Sequence, residues 1–322
     1  MKLGVFTVLF GDRPFEEALD IISKAGLKTI ELGTGGYPGN AHCKPEELLN
    51  DESKLRDFKK QIDLRGLEIS SLSCHGNPLH PNREISNKHH EQFQNTVLLA
   101  EKLGVETITT FSGCPGESEF SKFPVWVTCP WPDDYSEVLE WQWNERVIPY
   151  WQEQSLFLKA HEVRVAIEPH PGFVVYNNET ALRLRKECGN NIGVNFDPSH
   201  LFWQNMDPVN CIKEIAKENA LYHFHAKDTA IDQQNTALNG VLDTKPYNDE
   251  LNRSWIFRTV GYGQSIESWR KIISTLQLVG YKGAISIEHE DSLMSVQEGF
   301  SKSVSLLKEA LIEEKVGEMW WA

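Results

Sequence analysis

The 322-residue chain is 40% hydrophobic, enough for a full core, and at this length either two average domains or one (β/α)8 barrel is expected. Its 46 acidic against 32 basic side chains leave a formal net charge of −14, which excludes broad phosphate-backbone binding and with it a nucleic-acid partner. The opening apolar run is too short for a signal peptide, nothing approaches the roughly 18 apolar residues of a membrane span, and the six cysteines show no CxxC spacing, so a cytoplasmic protein with reduced thiols and no membrane partner is expected.

In chain order, short β-branched or apolar runs at 3–10, 29–33, 68–75, 106–113, 164–170, 192–200, 220–228 and 283–291 predict strands. Amphipathic stretches at 15–25, 45–65, 87–103, 134–161, 179–188, 208–218, 265–279 and 296–313 follow them in turn. Eight strand–helix units predict parallel βαβ pairing. Gly26, Gly66, Gly104 and Gly280 fit left-handed caps at four of the helix ends. A doubly wound open sheet is the rival, but the turn after the first strand, Phe10-Gly11-Asp12-Arg13-Pro14, is not a glycine-rich phosphate turn. The expectation is therefore α/β: a (β/α)8 TIM barrel forming a single domain over residues 1–322. Long loops follow strands four and seven, at 115–133 and 229–264. Both leave the carboxyl ends of their strands, where barrel sites are built, and read as substrate walls or lids, with insertion or subunit contact as the alternative.

Four strand ends carry the chemistry: Ile167-Glu168-Pro169-His170, Asn195-Phe196-Asp197-Pro198-Ser199-His200, His223-Phe224-His225-Ala226-Lys227-Asp228 and Ile287-Glu288-His289-Glu290-Asp291. Each passes from an apolar strand into charged or imidazole residues, and side chains there project into the barrel mouth. Glu168 and Asp197 are 29 residues apart and Asp197 and His225 are 28 apart, one βα unit each; Glu288 follows 63 residues on, one unit plus the long loop. Three carboxylates and an imidazole converging in one cleft need a cation. The set Glu168, Asp197, His225 and Glu288 suits one hard or borderline divalent ion, Mn2+ first, with Mg2+, Co2+ or Zn2+ as alternatives. His223 shares a strand face with His225, and either imidazole could serve, although position 225 lies nearer the mouth.

With these segments and the early Ile30-Glu31-Leu32-Gly33 strand, the chain resembles the sugar phosphate isomerase/epimerase superfamily, the xylose-isomerase-like TIM barrels that include the AP-endonuclease family 2 branch. The resemblance implies the same four metal ligands. It also implies a sugar isomerase or epimerase in which Glu168 and Glu288 take and return a proton next to a carbonyl, through a metal-stabilised ene-diolate. His200 would bind a substrate oxygen, Lys227 would polarise a carbonyl or pair with Asp228, and Glu31, His75 and His170 would contact substrate. Two departures restrict the substrate: the arginine of ketose 3-epimerases six residues after the metal histidine is Ile231 here, and their later glutamate is Val174. Strand four ends Phe111-Ser112-Gly113 and no Asp-x-His follows His225, so the trinuclear DNA-repair pattern is missing and one metal is expected.

The partner is read as a small-molecule carbohydrate or polyol. A lyase or dehydratase acting by β-elimination on a keto-glycoside or inositol-derived substrate is the alternative chemistry. Among ten tryptophans, Trp126, Trp131, Trp141, Trp143 and Trp151 surround the fourth-strand insertion, where they could stack on a bulky ligand, pack internally or form a homo-oligomer contact. Trp320 and Trp321 would anchor the tail, and Gly261-Tyr262-Gly263 before a helix would offer amides to a phosphate.

Overall fold

The computed structural model describes residues 1–314, 317–319 and 321. Eight parallel strands close into a barrel. They are β1 (Lys2–Phe6), β2 (Thr29–Gly33), β3 (Glu68–Ser73), β4 (Thr107–Thr110), β5 (Arg164–Ile167), β6 (Ile192–Phe196), β7 (Leu221–Ala226) and β10 (Ala284–Ile287), which closes onto β1 with Leu3 opposite Ile285. β8 (Asp228–Ile231) and β9 (Trp255–Arg258) form a separate antiparallel hairpin inside the long connection after β7. The fold is the expected TIM barrel. Most strands end before the apolar run does, because the last polar residues turn into the mouth.

Alternation along a strand sends one side chain out under the helices and the next into the barrel. In β2, Ile30 and Leu32 are fully buried among the apolar core, while Glu31 points across the barrel to His225, Thr109 and Ser286. Outside, Ala18, Leu19 and Ile22 give helix Phe15–Lys24 its buried face at the spacing of an α-helix. Gly104 takes the left-handed conformation at the end of helix Arg83–Leu103, where its amide closes the last turn.

Three expected helices differ in detail. The stretch 45–65 is two helices, Pro45–Asn50 and Glu52–Asp63, because the Asp51 side chain turns back to accept the Ser53 and Lys54 amides and starts a new N-terminus. The stretch 134–161 contains a π-helical turn, Gln142–Val147, immediately ahead of Pro149, whose ring cannot occupy a regular helix interior. The last helix ends at Ala310. Among the described residues no helix is long and apolar enough to cross a membrane. The Trp320 anchor lies outside the described residues; Trp321 is 69% exposed.

Asp228 opens the hairpin and corrects two expectations at once. Rather than pairing with Lys227, its carboxylate accepts hydrogen bonds from the amides of Thr229 (2.8 Å), Gly261 (2.8 Å), Gly263 (3.3 Å) and Gln264 (3.0 Å) and from Trp269 Nε1 (3.0 Å). The Gly261 and Gly263 amides are thus committed to a carboxylate of the chain itself and the Tyr262 amide to the Thr259 carbonyl, so none is free for a phosphate. Gly263 has to be glycine, since a Cβ there would stand 2.3 Å from the Thr229 carbonyl. Burial raises the Asp228 carboxyl to about 6 even against these donors. The Asp228→Ala variant, which leaves buried donors without acceptors, should lose about 3–5 kcal/mol of unfolding free energy in urea titration; an unchanged midpoint would show that the loop is held by something else.

Candidate metal centre

A polar layer crosses the barrel beneath its carboxyl end. Glu31, Ser71, Thr109, Asn195, His223, His225 and Ser286 are each no more than 1% exposed. Such groups persist inside a barrel only when they satisfy one another. Glu31 Oε1 accepts from Thr109 Oγ1 (2.9 Å), and Glu31 Oε2 from Ser286 Oγ (2.8 Å) and His225 Nε2 (2.8 Å). Asn195 Oδ1 accepts from His223 Nδ1 (3.0 Å), and Asn195 Nδ2 donates to Glu168 Oε2 (2.8 Å).

Above this layer Glu168, Asp197, His225 and Glu288 each present a ligand atom, all within 4.8 Å of one another. Backbone register sets their common height. The Glu168 amide bonds to the Thr110 carbonyl at 2.9 Å, the Glu288 amide to the Ala226 carbonyl at 3.2 Å, and Ser286 pairs with His225 across β10 and β7. Asp197 Oδ1 is used locally, accepting the Ser199 amide at 2.9 Å and leaving Oδ2 to face the cluster. His225 Nδ1 lies 3.2 Å from Glu168 Oε2 and 3.1 Å from Glu288 Oε2. With Nε2 committed to Glu31, Nδ1 is the nitrogen offered to an ion.

The residues fit a divalent cation. Asp197 Oδ2 and Glu288 Oε2 are buried without a hydrogen-bond partner, and both face the cluster. The negative charge also exceeds its compensation. Glu31, Glu168 and Asp197 are buried and Glu288 is partly buried, with Lys227 as the permanent cation among them, 3.1 Å from Asp197 Oδ2 and 3.0 Å from Glu288 Oε2. The imidazoles take up part of the difference: burial opposes a proton on His225, but the carboxylates of Glu31, Glu288 and Glu168 push it well above its ordinary value. Burial likewise opposes the charge on His200, and Asp197 carries it up to about 9. A second grouping, Glu31, His223 and His225, also has ligand atoms close together, but the Glu31 oxygens there are already hydrogen-bonded.

Of the five residues expected to touch substrate, four border the mouth. His200 Nε2 is 3.2 Å from both Glu168 Oε1 and Asp197 Oδ2. His75 Nε2 is 3.0 Å from Glu168 Oε2, with its Nδ1 held by Ser73. Lys227 reaches Asp197, Glu288 and Glu290. His170 packs on His200 with ring centroids 4.1 Å apart and lines the open space above. Glu31 lies elsewhere: it is 0% exposed behind His225, on the side away from the mouth. Asn195 and Glu290 were not anticipated in the sequence, although both sit inside the motifs quoted from it. Asn195 is one strand alternation before Asp197, and Glu290 is two residues beyond Glu288. Ile231, at the position of the epimerase arginine, packs on a cluster of Trp203, Trp255 and Phe257.

The space over the cluster is a cavity of about 310 Å3, bounded by Phe6, Tyr37, Phe111 and His170 as well as the charged groups. It continues outward into a larger aromatic compartment of about 510 Å3. Together these resemble a ligand pocket: apolar walls with a few convergent polar groups, within a typical range of about 300–1,000 Å3.

The family model described as xylose isomerase-like TIM barrel matches residues 19–310, and the chain belongs to this family. Uncharacterized protein YfiH of Bacillus subtilis (strain 168) is 36% identical over 314 residues, covering 97% of this chain and 99% of its own. The rhizopine catabolism protein MocC of Rhizobium meliloti is 26% identical over 282 residues, 88% of this chain and 76% of that protein. Among solved structures, the 3-keto-D-glucoside 4-epimerase YcjR of E. coli matches with a TM-score of 0.64 at 14% identity, over 96% of this chain and 99% of that one. The IOLI protein with a bound zinc atom matches with a TM-score of 0.64 at 16% identity, over 97% and 98%.

Hydrogen bonding from an outer carboxylate fixes the orientation and basicity of a metal-binding imidazole. Glu31→Gln should therefore weaken Mn2+ binding by about 10–100-fold in a chelator competition titration. Wild-type affinity in that variant would remove Glu31 from any role in holding His225.

Proposed function

We propose that the protein is a divalent-metal-dependent isomerase or epimerase of a small carbohydrate or polyol, moving a proton at a carbon next to a carbonyl. The observation that carries this reading is the convergence of Glu168, Asp197, His225 and Glu288 on one point at the floor of a ligand-sized cavity. The four would hold one ion, Mn2+ by preference, with Mg2+, Co2+ or Zn2+ as substitutes. When bound, that ion supplies positive charge for the oxygen that turns anionic as the proton leaves.

The remaining work falls to side chains. Glu168 and Glu288 flank His225 Nδ1 from two sides, so one carboxylate can take a proton from the substrate carbon and the other can return one. Burial works to raise Glu168, but the charges of His75 and His225 and the hydrogen bond from His200 hold it well below its ordinary value, ready to accept a proton. His200, charged near neutral pH, is placed to donate to a substrate hydroxyl. Lys227, tethered to Glu290 at the rim, offers a second cation to a carbonyl oxygen. Phe6 and Phe111 reduce the water that could compete for the carbanion. The family's epimerase members support this class of reaction, and their modest identity leaves the sugar to experiment.

Solvent deuterium exchange into a panel of ketoses and keto-glycosides, with Mn2+ present, tests the reading. Incorporation of deuterium with the carbon skeleton intact is expected. Release of water or of an aglycone would instead assign a lyase on the same proton abstraction, and no exchange with any member would overturn both. In the same assay Glu288→Gln should lower turnover by about 10²–10⁴-fold while Mn2+ still binds; full activity would take Glu288 out of proton transfer.

A further inference from the structure

Beside the mouth lies another compartment, about 260 Å3, walled by Trp126, Trp203, Tyr247, Trp255 and Phe257. His170 and His200 separate it from the cluster, and His200 is itself 3.2 Å from Glu168 and Asp197. A ligand in this compartment is therefore one side chain away from the reacting carbon. Half of its lining residues come from the 229–264 connection. Trp203, Trp255 and Phe257 form an apolar cluster apart from the barrel core, with the two indoles stacked at 4.6 Å and 6°.

Two features separate this compartment from ordinary packing. Trp126 and Trp203 each carry a buried Nε1–H without an acceptor, and both line it. Other buried indoles are paired: Trp255, in the same wall, donates to the Val241 carbonyl at 3.0 Å, and elsewhere Trp151 donates to the Ser112 carbonyl at 2.9 Å and Trp269 to Asp228. Both indoles thus present the compartment with their ring faces and edges rather than with hydrogen bonds already spent on the chain. Its charge also narrows the choice. Asp243 and the charged His200 line the compartment and no lysine or arginine does, so no net positive charge favours a phosphate or carboxylate.

Flat aromatic faces in a compartment without net positive charge suit a neutral, hydroxyl-bearing ring. We propose that the compartment binds a second sugar ring, making the substrate class a two-ring glycoside instead of a free monosaccharide. The proposal rests on the reading of the mouth as a keto-sugar site and adds to it a subsite built by the insertion after β7. The first ring would lie over the four-residue cluster, with its glycosidic link passing His170 and His200.

The test is binding, independent of turnover. Matched pairs such as glucose with cellobiose and galactose with lactose are titrated into the Mn2+-loaded protein, followed by calorimetry and tryptophan fluorescence. In at least one pair the two-ring sugar should bind roughly tenfold tighter, the worth of one or two added hydrogen bonds and a stacked face. Trp126→Phe and Trp203→Phe keep an aromatic ring but reduce the stacking face, and each should shrink that ratio. Two-ring sugars that bind no tighter than measurable monosaccharides overturn the subsite and leave the mouth reading standing. A preference that survives both substitutions also overturns it. Binding by neither class overturns the subsite together with the sugar reading.

Discussion

Four carboxylates, Glu31, Glu168, Asp197 and Glu288, lie together inside the carboxyl end of the barrel; the first three are buried and Glu288 partly so, and each has lost most of the water that would otherwise stabilise its charge. A buried carboxylate persists only when donors or cations replace that water. The chain answers with a graded arrangement. Glu31, deepest, is met by three hydrogen bonds; burial works against its ionisation, but His225 and His223 bring its pKa down to about 2. Glu168 is met by His75, Asn195 and His200. Asp197 and Glu288, nearest the open cavity, each keep an oxygen without an aligned hydrogen bond and are met there by the charges of Lys227, His200 and His225. Toward the mouth, directional hydrogen bonds give way to bare charge, and that is where a divalent ion and a substrate oxygen would fit.

Much of this was legible in the sequence because barrel geometry is strongly periodic. Eight apolar runs with intervening amphipathic stretches sufficed for the strands, and the polar residue closing each of the last four barrel strands sufficed for the cluster. Side-chain alternation also explains what was misjudged. Glu31 occupies a strand position like those of the mouth residues, so sequence alone read it as a substrate contact. The stagger of the barrel instead places it one layer lower, against the far nitrogen of His225. Nothing local in Ile30-Glu31-Leu32 distinguishes those two depths. Asp228 is a similar case: next to Lys227 in sequence, it begins a different element, and its true partners are amides more than thirty residues away.

The long connections divide the same way. Composition marked 229–264 as a wall without revealing that it folds as a hairpin with helix Gln233–Asn239 between its strands. The hairpin brings Trp255 and Phe257 up beside the mouth, and Ile231 packs against their cluster. Around the fourth-strand insertion, Trp143 and Trp151 are core residues, whereas Trp126 faces a cavity and Trp131 is 73% exposed. An abundance of one residue type could not separate those roles.

The account stands or falls on where a divalent ion binds. Anomalous scattering from crystals grown with Mn2+ measures that position directly. The account predicts one peak per chain, within about 2.0–2.6 Å of Glu168, Asp197 and Glu288 oxygens and of His225 Nδ1. A peak between Glu31, His223 and His225 Nε2, or no peak within the barrel, would contradict it.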